Sequence, residues 1–297
     1  MTAIAIREAP AAAALTPLVE APRPAAPARG GVLPQLLRGE YGGDLAIGLR
    51  PDRPTLVTNF VSTLDGVVSY ATPEAAGGGE ISGFYEPDRF VMGLLRSLAD
   101  VVLIGAGTLR AGSQEAWTPR FIHPHSSGEF AALRRSLNLR PEPITAVVSG
   151  SGSLDLRHPG LADPAVEVVV ITTRLGAAHL RDQAVPAHVT VLGVGSEGVE
   201  PRALLDLQAD RGARLVLCEG GPQLFGQLLA ADLVDELFLT LAPQLAGRSS
   251  ETPRLSLVEQ RAFTVAGAPW GELLSLRRAA DHLFARYRIR HDGETSS

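Results

Sequence analysis

Short apolar runs of strand length alternate along this chain with segments whose apolar residues recur at helical spacing. The runs predict strands over residues 55–61, 100–104, 144–149, 166–172, 188–192, 214–218 and 234–241. The segments between them predict helices over residues 87–98, 130–137, around 180, 201–211 and from 222 onward. The last two runs, 272–277 and 282–290, predict an antiparallel hairpin. Because strands that alternate with helices form a mostly parallel sheet covered on both faces, the pattern predicts an α/β fold.

The two ends of the chain lack this pattern. Residues 1 to about 30 are rich in alanine and proline, and a short apolar patch follows around Leu33, Leu36 and Leu37. Such a composition buries too little apolar surface to fold alone. We therefore predict a flexible leader and arm over residues 1–50, one domain over 51–292 and a disordered tail over 293–297.

Two glycine-rich turns follow predicted strands. One is the segment Gly105-Ala-Gly-Thr108, and the other is Glu219-Gly-Gly-Pro222, after which a helix begins. Glycine lets the backbone approach a ligand closely, and a helix N-terminus favours bound phosphate. In parallel sheets, ligands bind at the carboxyl ends of the strands, where both turns lie. The turns predict a phosphate-binding cleft, although a tight strand-to-helix turn without a ligand has the same pattern.

A third glycine segment, Gly193-Val-Gly-Ser-Glu-Gly198, matches the dinucleotide fingerprint G-x-G-x-x-G, and Glu219 follows about 20 residues later. In that fingerprint the helix begins within the glycines. Pro201 would then lie inside the helix, where proline removes a hydrogen bond and clashes. Pro201 fits better as the first residue of a later helix, so we favour the other two turns as the phosphate site.

Composition removes several classes of function. The net charge is −5, and all 27 basic residues are arginines, so a P-loop lysine and a Schiff-base lysine are excluded. An acidic chain without a broad basic patch is not expected to bind nucleic acid. The single cysteine, Cys218, favours a reducing cytoplasm, and the chain has no apolar stretch long enough to cross a membrane. We expect a cytoplasmic protein with no nucleic-acid or membrane partner.

Four motifs in order resemble the reductase family of riboflavin biosynthesis. They are the segments at 59–66, Asn-Phe-Val-Ser-Thr-Leu-Asp-Gly; at 100–108, Asp-Val-Val-Leu-Ile-Gly-Ala-Gly-Thr; at 219–224, Glu-Gly-Gly-Pro-Gln-Leu; and at 233–237, Leu-Val-Asp-Glu-Leu. The resemblance implies a dihydrofolate reductase-like, three-layer α/β fold with a mostly parallel central sheet and an antiparallel C-terminal hairpin. It also implies a homodimer that uses NADPH to transfer a hydride to an aminopyrimidine ribose phosphate.

The resemblance further implies a set of site residues. Those expected to contact NADPH are Ser62, Ser82, Gly105, Gly107, Thr108, Gly220, Gly221, Pro222, Gln223 and Leu224. Candidates for the 2′-phosphate of its adenosine are Ser149, Thr172, Thr173 and Arg174. Asn59, Asp65 and Glu219 are expected to face the substrate, with Asp65 and Glu219 as the catalytic carboxyls. For Asp65 a role in capping the turn before Gly66 stays open.

The chain departs from the family in one segment. Biosynthetic members follow the Gly-x-Gly-Thr turn with an Asp-Asp-Pro segment that ends in an arginine for the substrate's phosphate. Here residues 109–117 read Leu-Arg-Ala-Gly-Ser-Gln-Glu-Ala-Trp, so Arg110 or Arg120 is left as a substitute. Dihydrofolate or another pterin is therefore an alternative substrate, and a non-enzymatic nucleotide- or flavin-binding protein is a further alternative.

A metal site is not expected. The zinc deaminase domain that often accompanies these reductases needs a His-x-Glu and Pro-Cys-x-x-Cys arrangement, which a single cysteine cannot make. The histidine pair His123 and His125 has no obvious third ligand in the sequence. We predict no metal.

Overall fold

The computed structural model describes residues 14–24, 27–72, 77–112, 116–252 and 254–291. Its strands are β1 Thr16–Glu20, β2 Ala28–Gly31, β3 Leu45–Gly48, β4 Thr55–Thr63, β5 Val67–Ser69, β6 Val101–Gly105, β7 Ile144–Ser149, β8 Val168–Thr172, β9 Val189–Gly193, β10 Leu215–Cys218, β11 Glu236–Ala242, β12 Leu255–Ser256, β13 Gly271–Ala279 and β14 His282–Ile289. Its α-helices are α1 Gln35–Tyr41, α2 Gly79–Ser82, α3 Glu86–Leu98, α4 Ala106–Ala111, α5 Pro119–Ile122, α6 Ser127–Ser136, α7 Arg174–Arg181, α8 Pro201–Ala209 and α9 Pro222–Ala230.

One large sheet forms the centre of the molecule. Its strand order is β1-β13-β14-β11-β4-β10-β6-β7-β8-β9. The strands from β11 to β9 are parallel, whereas β14, β13 and β1 join antiparallel to their neighbours. The predicted α/β fold with a mostly parallel sheet and an antiparallel terminal hairpin is therefore confirmed.

Helices cover both faces of the sheet and create two apolar cores. On one face α3 contributes Phe90, Leu94 and Leu98, which are buried with residues of α6 and of the N-terminal segment. On the other face α9 contributes Phe225 and Leu228, next to residues of α8. The central strands face both cores, which explains why they are continuous apolar runs rather than alternating ones.

The segment before residue 51 belongs to the same folded body. Leu15, Leu37 and Ile47 are buried in the core beneath α3, and β1 adds an edge strand to β13. The start of the domain thus lies N-terminal to the predicted boundary, because a few isolated apolar residues anchor an arm that has no periodic pattern of its own. Residues 1–13 of the predicted leader and the predicted tail at 293–297 lie outside the described residues.

A buried ion pair joins the hairpin to the parallel strands. The Arg286 guanidinium on β14 donates to both carboxylate oxygens of Glu236 on β11, at 2.8 and 2.9 Å. It also donates to the carbonyl oxygen of Ala46 on β3 at 2.8 Å. Both charged side chains are less than one-tenth exposed, so each charge depends on the other for its stabilisation.

We expect Arg286→Met to lower the free energy of unfolding by about 3–5 kcal/mol, because it leaves the Glu236 carboxylate buried without a partner. The double variant Arg286→Met/Glu236→Gln should recover most of that loss. Urea unfolding of the three proteins measures both effects. A double variant that is no more stable than the single one would contradict this account.

Candidate active site

A cleft of about 1270 Å³ opens where β6, β7 and β10 end. One wall is formed by α3 and the segment around α2, and the other by the glycine turns before α4 and α9. Side chains from the middle of β4, including Asn59, line the cleft between these walls. The cleft therefore lies at the carboxyl edge of the parallel strands, as expected for a ligand site in an α/β sheet.

The two predicted glycine turns meet in this cleft. A Cβ atom on Gly220 would lie 3.3 Å from the backbone nitrogen of Gly105 and 2.6 Å from the side chain of Leu224. Gly221 has an extended backbone, and the first turn of α9 begins directly after it at Pro222. The absence of side chains at 220 and 221 thus lets the ends of β6 and β10 approach each other and leaves the start of α9 open.

Most of the predicted site residues line this cleft. They are Asn59, Ser82, Gly105, Gly107, Thr108, Arg110, Ser149, Glu219, Gly220, Gly221, Pro222, Gln223 and Leu224. The glycine turns lie there because each follows a parallel strand and those strands point the same way, whereas Asn59 lies within β4 and Ser82 on α2.

Four predicted cofactor residues lie elsewhere. Ser62 is buried and donates its hydroxyl to the carbonyl of Thr63 at 2.8 Å. Thr172 is fully buried within β8, and Thr173 caps α7 by accepting from the amide of Gly176 at 3.0 Å. Arg174 is exposed on the first turn of α7 and does not line the cleft. Of the four residues predicted to bind the 2′-phosphate, only Ser149 lines the cleft.

Asp65 stabilises a turn and does not line the cleft. Its carboxylate accepts from the Thr63 hydroxyl at 2.6 Å and from the amides of Ala246 and Gly247 at 3.1 and 2.7 Å. The Thr63 hydrogen bond, followed by these backbone ones, lowers the pKa of Asp65 to about 2. The structure therefore supports the turn-capping alternative over the predicted substrate and catalytic roles.

Glu219 lines the cleft as half of a buried ion pair. Arg96 on α3 donates from Nε and Nη2 to its carboxylate, with a shortest distance of 2.6 Å. The remaining Arg96 nitrogen donates to the carbonyls of Ala116 and Thr118 at 3.2 and 3.3 Å. Because Arg96 compensates its charge, Glu219 is held as an oriented carboxylate that accepts hydrogen bonds.

The second buried carboxyl in the cleft is Asp88, on the first turn of α3. Burial raises the pKa of Asp88 to about 6, hydrogen bonding to Thr240 and Ser82 opposes this rise, and the charge of Glu219 adds to it. No arginine among the described residues forms an ion pair with Asp88. It is thus a carboxyl that holds a proton at a pH where an ordinary aspartate has lost it.

Neither Asp88 nor Arg96 was assigned to the site from the sequence. An aspartate near a helix start is ordinarily a favourable charge for the helix dipole, so Asp88 carried no chemical signal. Arg96 pairs with a residue 123 positions later, a separation that no local pattern reveals. The spacing of α3 gave one usable signal, because Arg89, Met92 and Arg96 recur at i, i+3 and i+7 and all line the cleft.

Two other segments of the sequence do not have the alternative roles considered for them, although Gly198, the last glycine of the fingerprint segment, lines the cleft. Gly195 has a φ of +69° in the loop after β9, and α8 begins at Pro201, so the helix does not begin within that glycine segment. His123 is buried beside Phe90 and lies 3.3 Å from a carboxylate oxygen of Glu86. Among the described residues, no group of three or more histidine, cysteine, aspartate or glutamate side chains is arranged to hold a metal ion.

Comparison with known families gives a match to the RibD C-terminal domain over residues 54–268. The chain belongs to this family. A relative from Archaeoglobus fulgidus, named 2,5-diamino-6-ribosylamino-4(3H)-pyrimidinone 5′-phosphate reductase, is 30% identical over 67% of this chain and 85% of its own. A protein of the same name from Methanothermobacter thermautotrophicus is 27% identical over 66% of this chain and 80% of its own.

Solved structures support the fold. A pyrimidine reductase-like protein from Corynebacterium diphtheriae has a TM-score of 0.62 and 22% identity, with 80% of this chain and 93% of that chain covered. A bifunctional deaminase and 5-amino-6-(5-phosphoribosylamino)uracil reductase from Thermotoga maritima has a TM-score of 0.59 and 20% identity, with 80% and 57% covered. The described helices include none that is long and apolar enough to span a membrane.

We expect Asp88→Asn to stabilise the protein near pH 7.5 by up to about 3 kcal/mol, the free energy that corresponds to a pKa rise from 3.8 to about 6. A carboxyl whose pKa is raised by folding costs stability as the pH rises through the interval between its two pKa values. The stability gain of the variant should therefore shrink toward pH 4.

Urea unfolding at pH 4.5, 6 and 7.5 measures this trend. Asp182→Asn, at an exposed position at the end of α7, is the control and should show no such trend. A gain that is equal at all three pH values would show that Asp88 does not change its protonation on folding.

Proposed function

We propose that this protein is an NADPH-dependent reductase that transfers a hydride to a 2,5-diamino-6-ribosylaminopyrimidinone 5′-phosphate or a closely related aminopyrimidine ribose phosphate. The observation that carries the proposal is the juxtaposition, in one cleft, of a glycine turn at a helix start with Asp88, a buried carboxyl whose pKa is raised. The names of the two archaeal relatives supply the substrate class.

The turn side of the cleft suits a dinucleotide. A Cβ atom on Gly107 would meet no other atom within 4 Å, and one on Gly221 would come no closer than 3.5 Å to Thr108 Oγ1. These positions leave open space beside the first turn of α9, whose free amides can bind the pyrophosphate. When NADPH is bound, its nicotinamide supplies the hydride, and the residues of the chain supply position and charge.

The α3 side of the cleft suits the substrate. An N-ribosyl amine accepts a hydride at C1′ only after its C1′–O4′ bond has opened to an iminium group, and that step needs a proton on O4′. Asp88, whose pKa is raised by burial, donates this proton and regains it from solvent. One proton and one hydride are then added, and the ribosyl group becomes an open-chain polyol. Glu219 and Asn59 orient the aminopyrimidine by hydrogen bonds.

A second candidate is the reduction of dihydrofolate or another pterin. The Asp88 carboxyl that interacts with Thr240 can also bind the two adjacent nitrogens of a 2-aminopyrimidine edge, which pterins share with the diaminopyrimidinone. Following NADPH oxidation with each substrate side by side distinguishes the two. Turnover of the pterin alone would overturn our first proposal.

We also propose a cytoplasmic homodimer. Cys218 is buried, which suits a reducing compartment, and the dimer rests on the family resemblance alone. Light scattering at micromolar concentration measures the assembly, and a mass of one chain would contradict the dimer.

We expect Gly221→Ala to raise the Kd for NADPH about tenfold or more, because its new methyl group occupies the space at the start of α9 where a phosphate would approach. In the free protein the methyl group fits without strain. Gly128→Ala is the matched control, since it adds a methyl group in open space on α6. Titration of NADPH by protein fluorescence measures both, and equal affinities would contradict a cofactor site at this turn.

We expect kcat/KM of the wild type to fall as the pH rises through about 6, because the acid form of Asp88 is then lost. Asp88→Asn should lower kcat about 100-fold or more and remove this dependence. Rates of NADPH oxidation between pH 5 and 8 measure both. A variant that keeps the wild-type pH profile would assign the proton to another group.

A further inference from the structure

The cleft carries four arginines in a chain whose net charge is −5. Arg96 is neutralised by Glu219, and Arg261, beside α9, donates to the carbonyl of Gln260 at 3.1 Å. Arg89 and Arg110 are the other two. Neither has a carboxylate of the described residues within ion-pair distance. Arg261 has no such carboxylate either, so three positive charges without a counter-charge among the described residues line the same cavity.

Arg89 is the best anchored of these three arginines. It lies on the first turn of α3, is half-buried, and donates from Nε to the carbonyl oxygen of Ile122 at 2.9 Å. This hydrogen bond fixes the plane of the guanidinium. Its two terminal nitrogens donate to no described residue, so they remain available to a ligand. Arg110 is exposed on α4 and makes no such anchoring contact with the described residues, and Arg261 is exposed and donates to the carbonyl of the residue before it.

Arg120, the other substitute left open by the sequence, does not face the cleft. Its guanidinium pairs with Glu142, at 2.8 Å, and with Asp163. Two carboxylates already compensate its charge, so an anion in the cleft gains nothing from it.

We propose that Arg89 binds the phosphate of the substrate through its two terminal nitrogens. This inference rests on the proposed function and adds the residue that recognises the phosphate. Asp88 and Arg89 both line the cleft. In the proposed pose the ribose presents O4′ to Asp88 and its 5′-phosphate to Arg89. A planar, fixed guanidinium is suited to two parallel hydrogen bonds with phosphate oxygens.

The position of Arg89 also separates this site from the cofactor turns. Arg89 precedes Arg96 by two helical turns, about 10 Å along α3. Arg96 contacts Glu219, which directly precedes the Gly220–Gly221 turn. The guanidinium of Arg89 is therefore at the far end of the α3 wall from the turn proposed for the pyrophosphate.

The test compares Arg89→Met, Arg89→Lys and Arg110→Met with the wild type. Each is assayed at saturating NADPH with the aminopyrimidine ribose 5′-phosphate and with the same compound lacking the phosphate. We expect Arg89→Met to lower kcat/KM about 10- to 100-fold for the phosphorylated substrate and to change it little for the other. Arg89→Lys should recover part of the loss, and Arg110→Met should keep the preference for the phosphate.

A second readout does not need turnover. Binding of ribose 5-phosphate is followed by the fluorescence of Trp117, which is buried beside the cleft, and thermal unfolding verifies that each variant is folded. Loss of binding in Arg89→Met but not in Arg110→Met supports the phosphate site, even if the wild type oxidises no NADPH and the proposed function falls. Equal losses on both substrates, or unchanged binding in folded Arg89→Met, would overturn the inference.

Discussion

The buried ion pair between Arg96 and Glu219 joins the separate parts of the chain that enclose the cleft. Arg96 belongs to α3, Glu219 ends β10, and the same guanidinium holds the carbonyls of Ala116 and Thr118. Removing either partner would leave a charge buried without compensation, which costs several kcal/mol. This contact therefore fixes the end of α3 next to the glycine turns, in addition to the apolar packing that holds the rest of the helix.

The charged side chains of the cleft have different functions, and the Arg96–Glu219 pair is one reason for this difference. Glu219 forms an ion pair with Arg96 and serves as a hydrogen-bond acceptor. Its negative charge also contributes to the raised pKa of nearby Asp88. Arg89 has no acidic partner among the described residues, although it follows Asp88 directly. An acid with a raised pKa, an oriented carboxylate and a guanidinium without a carboxylate partner among the described residues thus occur along a single helix and its neighbouring strand end. This arrangement is suited to a substrate with a basic ring, a sugar and an anionic end.

The sequence predicted the central architecture well, because each core strand is a continuous apolar run between turn residues. The sequence also predicted that both glycine turns lie at the cleft, because the carboxyl ends of parallel strands lie at the same edge of a sheet. It missed Asp88 and Arg96, whose roles arise only from partners distant in the chain. It assigned chemistry to Asp65, whose carboxylate is occupied by Thr63 and two backbone amides. Burial and pairing with residues distant in the chain decide the roles of these three side chains, and neither leaves a local pattern in the sequence.

The position of β1 at the edge of the sheet has a consequence for aggregation. An outermost strand of a sheet exposes unpaired backbone groups that can recruit another chain and begin aggregation. Here β1 occupies the outer side of β13, and it is short, has a proline at position 17 and shifts its register between Pro17 and Val19. Because proline has no amide hydrogen and an irregular strand is a poor template, β1 closes this side of the sheet against further growth.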